Sequence, residues 1–211
     1  MSGIVNYIQY TSQLGQDRTV LEYFGNIRGG FFVELGAHDG VELSNTLVME
    51  RDFAWNGLCI EPNPETFERL RTNRKCLCCN GLISDSNGKD VEFCISRENA
   101  MYSGSKGSMS RPENATVVNL KTYTLTHVLD LVNAPRVIEF LSLDTEGTEL
   151  DILRGVDWER YRFLYMCIEH NYEEPRRTQI RQFLEGKGYT YKGENKWDDD
   201  YVWLQPGKKV V

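Results

Sequence analysis

Two short segments constrain the fold of this chain more than any other feature. Residues 31–40 read Phe-Phe-Val-Glu-Leu-Gly-Ala-His-Asp-Gly, and residues 59–64, Cys-Ile-Glu-Pro-Asn-Pro, follow about twenty positions later. An apolar run that stops at a glycine turn is typical of a buried parallel strand whose carboxyl end reaches a ligand crevice. Glu61, at the end of the second run, can accept hydrogen bonds from both hydroxyls of a ribose. The spacing therefore predicts a βαβ unit that binds a nucleoside.

The composition of the first turn discriminates between nucleoside ligands. A dinucleotide turn reads G-x-G-x-x-G, because a bare backbone and a helix N-terminus receive a pyrophosphate. Here the turn runs from Gly36 to Gly40, and the carboxylates of Glu34 and Asp39 lie beside it. Two carboxylates repel a pyrophosphate but attract a cation, so the turn favours S-adenosylmethionine, which carries a sulfonium and an ammonium, over a nicotinamide cofactor. The alternative is a buried strand that ends in an ordinary glycine loop.

Length and charge limit the number of domains and the kind of partner. At 211 residues we expect a single α/β domain over residues 1–211, with an N-terminal helical segment (1–29) and a core (30–206). The net charge is -7 and most basic residues are dispersed, which argues against a nucleic-acid partner. No apolar run approaches the length of a membrane span, so membrane insertion is not expected. The six cysteines lie mostly in strand-like runs, and the N-terminus lacks a signal-peptide pattern, so a soluble protein of the reducing cytoplasm is predicted.

Strand and helix patterns alternate along nearly the whole chain, which is typical of a doubly wound sheet. The last two strands are joined so briefly that they must be antiparallel. A mostly parallel twisted sheet closed by a C-terminal antiparallel hairpin is the three-layer, Rossmann-like arrangement of class I methyltransferases, so it favours the same cofactor. Strands are predicted at 30–35, 57–61, 76–83, 115–123, 137–143, 162–168, 188–192 and 201–205. Helices are predicted at 44–53, 64–71, 125–132 and 174–185, with one more that ends near residue 24 and one that begins near residue 148.

Residues 97–112 are rich in serine, glycine and asparagine and show no periodicity, which predicts a long loop. Long loops in compact domains are often functional. Its hydroxyls and flexible backbone suit contacts with a polyol acceptor, and a solvated lid without such contacts fits the pattern equally well. The candidate contact residues are Tyr102, Ser103, Gly104, Ser105 and Lys106.

A second group of acids follows the later strands of the predicted sheet. Asp144 and Glu146 come after one strand, and Glu169 and His170 end the next. Because parallel strands deliver their carboxyl ends to one edge, we expect these side chains in one cleft with Glu34, Asp39 and Glu61. Such crowding of carboxylates is unfavourable unless a cation or hydrogen bonds offset it, which suggests function.

Two mechanisms of transfer to a hydroxyl fit these residues. In one, Asp144, Glu169 and either His170 or Asn171 hold Mg²⁺ or Mn²⁺, which lowers the pKa of a bound hydroxyl. In the other no metal takes part, and His170 or a carboxylate removes the proton. The structural alternative makes Asp144 and Glu146 caps of the following helix and His170 a hydrogen-bonded loop residue.

The chain resembles the FkbM family of S-adenosylmethionine-dependent methyltransferases over roughly residues 12–205. The matching segments, in order, are Ser-Gln-Leu-Gly-Gln-Asp at 12–17, the turn at 32–40 with Ser-Asn-Thr at 44–46, Ile-Glu-Pro-Asn-Pro at 60–64, and Leu-Asp-Thr-Glu-Gly-Thr-Glu at 143–149. The family is associated with O-methylation of sugars or of natural-product hydroxyls, so the resemblance implies a sugar or glycan acceptor. Correspondence is weakest over residues 97–112, where we expect acceptor choice to lie.

The resemblance also assigns roles to residues of this chain. It implies that the methionine part of the cofactor is surrounded by the turn, that Glu61 binds the ribose, and that Asn63 or Ser84 lies near the adenosine. Asp144 and Glu146 would face the reacting centre, with His170 as a further catalytic candidate. The full set of implied cofactor residues is Glu34, Gly36, Ala37, His38, Asp39, Gly40, Ser44, Asn45, Glu61, Asn63 and Ser84.

Two other functions remain open at this stage. A non-catalytic cofactor-binding module of a larger glycan-processing protein would keep Glu61 and the glycine turn but would have no acceptor. A nicotinamide-dependent oxidoreductase is opposed by the turn and by the terminal hairpin. The sequence carries no mark of oligomeric state.

Overall fold

The computed structural model describes residues 7–96, 104–105 and 115–204. The helices are α1 (Gln16–Tyr23), α2 (Leu47–Phe53), α3 (Pro64–Asn73), α4 (Leu125–Leu131), α5 (Glu149–Arg154) and α6 (Arg176–Gly186). The strands are β1 (Phe31–Leu35), β2 (Asn56–Ile60), β3 (Leu77–Cys79), β4 (Leu82–Ile83), β5 (Asp90–Ser96), β6 (Gly104–Ser105), β7 (Ala115–Tyr123), β8 (Val137–Leu143), β9 (Arg162–Glu169), β10 (Tyr189–Asn195) and β11 (Asp198–Trp203).

A seven-stranded sheet forms the centre of the molecule, in the order β10-β11-β9-β8-β1-β2-β3. Neighbours from β9 to β3 pair in parallel, whereas β11 runs antiparallel to both β9 and β10. The chain order reverses between β1 and β8, which is where open sheets of this kind bind ligands. The predicted α/β class, with a mostly parallel sheet and a C-terminal antiparallel hairpin, is confirmed.

Helices cover both faces of this sheet and give three layers. Because side chains alternate along a strand, β1 sends Phe32 into the core on one face and Val33 into the core on the other. The core on the Phe32 side takes Val20 from α1, Met49 from α2 and Leu70 from α3, and the core on the Val33 side takes Leu129 from α4, Ile152 from α5 and Ile180 from α6. No helix in the described part of the chain has the length and apolar character needed to cross a membrane.

A second, four-stranded sheet, β4-β7-β5-β6, was predicted only in part, since β7 has the bounds predicted for it and the other three strands were not recognised as such. The single strand predicted over 76–83 was wrong: it breaks at Asn80 and Gly81, so β3 stays in the central sheet and β4 pairs with β7. β5 was missed, and β6 lies inside the predicted loop. The rest of that loop, including Tyr102, Ser103 and Lys106, lies outside the described residues.

The terminal hairpin is tighter than predicted. β10 and β11 extend toward each other until Lys196 and Trp197 form the turn, so most of the predicted connecting segment 193–200 is strand. Its three aspartates, Asp198, Asp199 and Asp200, are buried because β11 lies between β9 and β10. The acidic run at 198–200, whose charge is typical of a solvated loop, is therefore part of an internal strand.

Candidate active site

A cavity of about 490 Å³ opens at the carboxyl edge of the central sheet, beyond the ends of β1, β2, β8 and β9. This is the crevice that the reversal of chain order predicts. The lining combines apolar side chains with carboxyl and amide side chains, and we call the two groups the apolar side and the polar side. The apolar side is formed by Ile60, Pro62, Leu82, Ile83 and Phe93.

Glu61 directly follows β2 and is buried in the cavity wall. The backbone N–H of His38 donates to its Oε2 at 3.0 Å, and the backbone N–H of Asn63 donates to its Oε1 at 2.9 Å. Burial raises the pKa of Glu61 to about 7, against the opposing effect of these two amides. Each carboxylate oxygen can accept one more hydrogen bond, so the group fits the diol of a ribose.

The turn after β1 is held by backbone contacts with both neighbouring strands. The N–H groups of Gly36 and Ala37 donate to the carbonyl of Ile60 at 3.1 Å each. Gly36 has a φ of 74°, and a Cβ at this position would lie 1.8 Å from the backbone oxygen of Asp144. The glycine is thus required by the close approach of the ends of β1 and β8, as well as by any ligand. Gly36, Ala37 and His38 line the cavity.

Asp39 and Gly40 shape the turn but do not belong to the cavity lining. The two amides that lie two and three residues beyond Asp39 donate to its Oδ1 at 2.9 Å each. Burial alone would raise the pKa of Asp39, but these amides outweigh it and hold the pKa below its usual value. A Cβ on Gly40 would lie 2.6 Å from the Arg74 side chain. Both residues therefore support the turn from outside the cavity.

Glu34, in β1, is anchored inside the protein and is only 4% exposed. Its carboxylate accepts hydrogen bonds from the N–H of Asn45 at 2.7 Å, from the hydroxyl of Thr46 at 2.6 Å and from the hydroxyl of Ser44 at 3.1 Å. The guanidinium of Arg74 lies 3.3 Å away and balances its charge. Glu34 borders the cavity as predicted, and these contacts show that it fixes the segment that leads into α2.

Asn45 presents an unused acceptor at the cavity. Its Nδ2 donates to the hydroxyl of Ser142 at 2.9 Å, which orients the amide. Its Oδ1 is buried and accepts no hydrogen bond from any described residue. An ammonium group is a donor that this oxygen can accept, so Asn45 fits the predicted cofactor role.

Like Asp39 and Gly40, the predicted cofactor residues Asn63 and Ser84 do not line the cavity. Asn63 caps α3, because its Oδ1 accepts from the N–H of Glu65 at 3.1 Å. The N–H of Ser84 donates to the carbonyl of Tyr123 at 2.8 Å and so continues the pairing of β4 with β7. The apolar side of the cavity, partly supplied by the unpredicted strand β5, is the surface that suits a purine ring.

Three carboxyl groups meet at the polar side of the cavity. Oxygen atoms of Asp144, Glu146 and Glu169 all lie within 4.8 Å of one another. Asp144 is open to the cavity, yet protein surrounds it on the other sides, and burial raises its pKa to about 7, with Glu146 adding to the shift. Burial and the nearby Asp144 raise the pKa of Glu169 still further. Asp144 and Glu169 therefore share a proton near neutral pH.

Glu149, which the sequence analysis left without a role, organises the loop that carries these acids. It is 1% exposed, and its Oε1 accepts from the N–H and hydroxyl of Thr145 at 3.1 and 3.0 Å and from the N–H of Gly147 at 2.9 Å. Glu146 lies between these anchors with a φ of 55°. The amides that Glu149 accepts from lie before α5, and the N-cap position of that helix is Thr148 rather than Asp144 or Glu146.

His170 is not brought together with the acids, contrary to prediction. It follows Glu169 directly, and consecutive side chains at a strand end point to opposite faces of the sheet. Its Nδ1 accepts from the N–H of Tyr172 at 2.9 Å, and its Nε2 lies 3.7 Å from the carboxylate of Asp199. Burial lowers the pKa of His170, so the imidazole is neutral at pH 7. His170 lies outside the cavity lining, and in its place Glu146 completes the group of possible metal ligands.

The cavity residues that were not predicted as site residues include three that join the two ends of the chain: Gln13, Gln16 and Trp197. Gln16 begins α1, and Trp197 occupies the hairpin turn at the other end of the chain. Gln16 Nε2 donates to Asp198 Oδ2 at 2.6 Å, which joins the two ends. Gln13 and Gln16 could have been predicted as site residues, because residues 12–17 are one of the segments that match the family. Nothing in the local sequence pattern indicated that Trp197 would line the cavity.

Comparisons with known proteins agree with this geometry. The family described as Methyltransferase FkbM domain matches residues 34–191. Among solved structures, the METTL16 MTase domain superposes with a TM-score of 0.54 at 10% identity, covering 95% of this chain and 69% of that one. The N-terminal domain of human METTL16 gives 0.49 at 11% identity (96% and 74% covered), and precorrin-6y C5,15-methyltransferase from Geobacter metallireducens GS-15 gives 0.49 at 13% identity (89% and 87% covered). No curated protein matches the chain in sequence.

The structural likeness confirms the Rossmann-like class I methyltransferase fold, and the family match covers most of the chain. The matched range contains the turn after β1, Glu61 and the loop from Asp144 to Glu149, which together build the cavity. The family implies S-adenosylmethionine as methyl donor, and the buried acceptor of Asn45 and the two open oxygens of Glu61 fit that group. The chain belongs to the FkbM methyltransferase family.

Proposed function

We propose that this chain transfers a methyl group from S-adenosylmethionine to a hydroxyl of a sugar or glycan. The observation that carries the proposal is the position of Asp144, which faces the cavity beside Glu146 and Glu169. Its pKa of about 7 is close to the value at which a general base works best at neutral pH.

The cofactor supplies an electrophilic methyl group when it is bound. On the protein side, Glu61 accepts from the ribose hydroxyls, the apolar side near Phe93 covers the adenine, and Asn45 Oδ1 accepts from the ammonium. The carboxylate of Glu34 adds negative potential near the ammonium, although Arg74 offsets much of it. These residues would hold the donor in the cavity that Asp144 also lines.

The polar side of the cavity suits an uncharged hydroxyl compound. Its carboxylates and amides can accept hydrogen bonds from hydroxyl groups. Among residues 7–96, 104–105 and 115–204, no lysine or arginine lines the cavity. Asp144 removes the proton of the reacting hydroxyl, while Glu169 stays protonated beside it. We assign the base to Asp144 because its carboxyl is the more exposed of the two at the cavity.

A divalent cation is the alternative means of activating the hydroxyl. The oxygen atoms of Asp144, Glu146 and Glu169 are close enough to act together as hard ligands for Mg²⁺ or Mn²⁺. Activity that survives exhaustive EDTA treatment would support Asp144 as the base. Activity that is lost in EDTA and restored by Mg²⁺ or Mn²⁺ would assign the three carboxylates to the metal.

The test of the proposed function is Asp144→Asn. We expect S-adenosylhomocysteine to bind with unchanged affinity in calorimetry and methyl transfer to a glycoside to fall by about 10²- to 10⁴-fold, because the base is lost. Asp151→Asn is the matched control, since Asp151 lies on α5, is exposed and forms a surface ion pair with Arg154 at 3.1 Å. Normal turnover by Asp144→Asn would remove this residue from the mechanism, and cofactor binding without transfer by wild type would favour the non-catalytic module.

A further inference from the structure

We propose that Trp197 is the platform on which the ring of the acceptor sugar stacks. The proposal rests on the proposed function and adds to it the residue that recognises the sugar ring. Trp197 lines the cavity and is 39% exposed. An exposed aromatic residue by itself needs no explanation, so the proposal depends on where the indole lies and on how it is held.

The hairpin places Trp197 next to the catalytic acids. The residue that follows it, Asp198, pairs with Glu169 at the end of β9. The carbonyl of Trp197 accepts from the N–H of His170 at 2.7 Å, so the turn is joined to the end of the same strand. A ring that lies on the indole therefore has its edge near Glu169 and the acids around it.

Contacts on both sides hold this turn in place. Before it, Asn195 Nδ2 donates to the carbonyl of Leu14 at 3.1 Å. After it, Gln16 Nε2 donates to Asp198 Oδ2 at 2.6 Å, and Gln16 Oε1 accepts from the N–H of Leu14 at 2.9 Å. The turn is thus tied to the segment before α1 in a fixed arrangement. A preformed surface loses little conformational entropy when a ligand binds.

The chemistry around Trp197 matches a pyranose better than other planar or charged ligands. A pyranose has an apolar C–H face, which a flat indole can cover, and a rim of hydroxyls, which carboxylates and amides can bind. Asn171 and the exposed Gln13 supply amides on this side of the cavity. The Lys196 ammonium lies 6.0 Å from the centre of the indole ring. A nucleotide could also stack on the indole, but its phosphate would be repelled by the negative charge that the acid cluster carries beside the protonated Glu169.

The experiment uses the full chain with S-adenosylmethionine and a panel of methyl pyranosides, with initial rates measured from released S-adenosylhomocysteine. Trp197→Ala is compared with Trp197→Phe and with Tyr7→Ala, since Tyr7 is 90% exposed and distant in sequence from the hairpin. We expect Trp197→Ala to raise the KM for the pyranoside about tenfold, equal to ~1.4 kcal/mol of lost contact, with kcat and S-adenosylhomocysteine affinity nearly unchanged. Trp197→Phe retains an aromatic face and should recover most of the loss, and Tyr7→Ala should behave as wild type.

The outcomes separate the two proposals. An unchanged pyranoside KM in Trp197→Ala, with active wild type, overturns the role of Trp197 and leaves the proposed function intact. Wild type that binds S-adenosylhomocysteine but neither methylates nor binds any pyranoside, measured by saturation-transfer NMR, overturns both. The enzyme could instead methylate an amine, such as an aminosugar nitrogen, in preference to the matched neutral pyranoside. That result would overturn sugar stacking and would mean that the indole recognises a cation.

Discussion

Two carboxyl groups of this site, the buried Glu61 and the cavity-facing Asp144, have pKa values that are raised by the same cause. Burial raises the pKa of each to about 7. Their neighbours differ, because Glu61 is held by two backbone amides and Asp144 by a cluster of other acids. Amides orient a group that must accept hydrogen bonds from a ligand, whereas crowding by acids favours a group that takes up a proton. The surroundings of each residue thus indicate a binding role for the first and a base role for the second.

Cofactor affinity should therefore depend on pH through Glu61. A bound ribose favours the ionised carboxylate, so below a pKa of about 7 binding requires loss of a proton. We expect the affinity for S-adenosylhomocysteine to rise as pH increases from about 5.5 to 7, by at most about tenfold per unit, and to level off above 8. Calorimetric titration with S-adenosylhomocysteine across this pH range measures the change in affinity.

Glu61→Gln provides the matched test of that dependence. The amide keeps the shape of the side chain but cannot ionise, so the pH dependence should disappear and the affinity at pH 8 should fall by about tenfold or more, since hydrogen bonds to a charged group are lost. Glu65→Gln, at an exposed position on α3, should retain the wild-type curve. A variant at position 61 with the wild-type pH curve would exclude this carboxylate as its source.

At the scale of elements, the sequence predicted the parallel strands of the central sheet and their bounds well. It predicted poorly where the side chains that follow those strands would lie. The run before Gly36 and the run before Asp144 are mostly apolar, as strands buried on both faces are, so β1 and β8 were identified almost to the residue. His170 was misplaced because motif adjacency was read as spatial adjacency, although the side chain next to Glu169 points to the other face. β5 was missed because its mixed pattern gains stability from pairing with β7 and β6, which local sequence does not reveal.

The ends of β1 and β8 approach each other so closely that only glycine fits at position 36. Replacing Gly36 with alanine should cost about 3 kcal/mol or more of unfolding free energy, since a φ of 74° is strained for alanine and the added Cβ would overlap the Asp144 carbonyl at 1.8 Å. Urea denaturation followed by circular dichroism measures the loss. Gly186→Ala is the control, because nothing lies within 4 Å of the added atom, and it should be neutral or slightly stabilising. Equal effects of the two substitutions would contradict the close approach of the two strands.

At the scale of the whole molecule, the acceptor side of the cavity is assembled from segments that lie far apart in the chain. Gln16 and Asp198 are 182 residues apart in sequence, yet their side chains form one hydrogen bond beside the cavity. No local pattern can predict such a meeting, because it depends on β11 inserting between β9 and β10. The cofactor side, by contrast, comes mainly from one βαβ unit, so a motif of about thirty residues was sufficient to locate Glu61 and the turn.

The charge of the whole chain and of its cavity should decide which acceptors react. The net charge is -7, and three carboxyl groups lie at the acceptor side. Unit charges of the same sign about 8 Å apart repel by ~2 kcal/mol at an effective dielectric constant near 20, equivalent to about thirtyfold in rate. A pyranoside phosphorylated next to the methylated hydroxyl should therefore have a kcat/KM at least about tenfold below that of its neutral counterpart at low salt.

Added salt and removal of one acid should both weaken this discrimination. Raising ionic strength from about 0.01 to 0.5 M screens the repulsion and should narrow the gap between the two substrates. Glu146→Gln removes one charge from the cluster without removing the base, so it should favour the phosphorylated substrate relative to wild type. Glu159→Gln, at an exposed position away from the cavity lining, is the control for a change in net charge alone. A phosphorylated pyranoside that reacts faster than the neutral one at low salt would mean that a positive group outside the described lining governs acceptor choice, and the neutral-sugar assignment would fail.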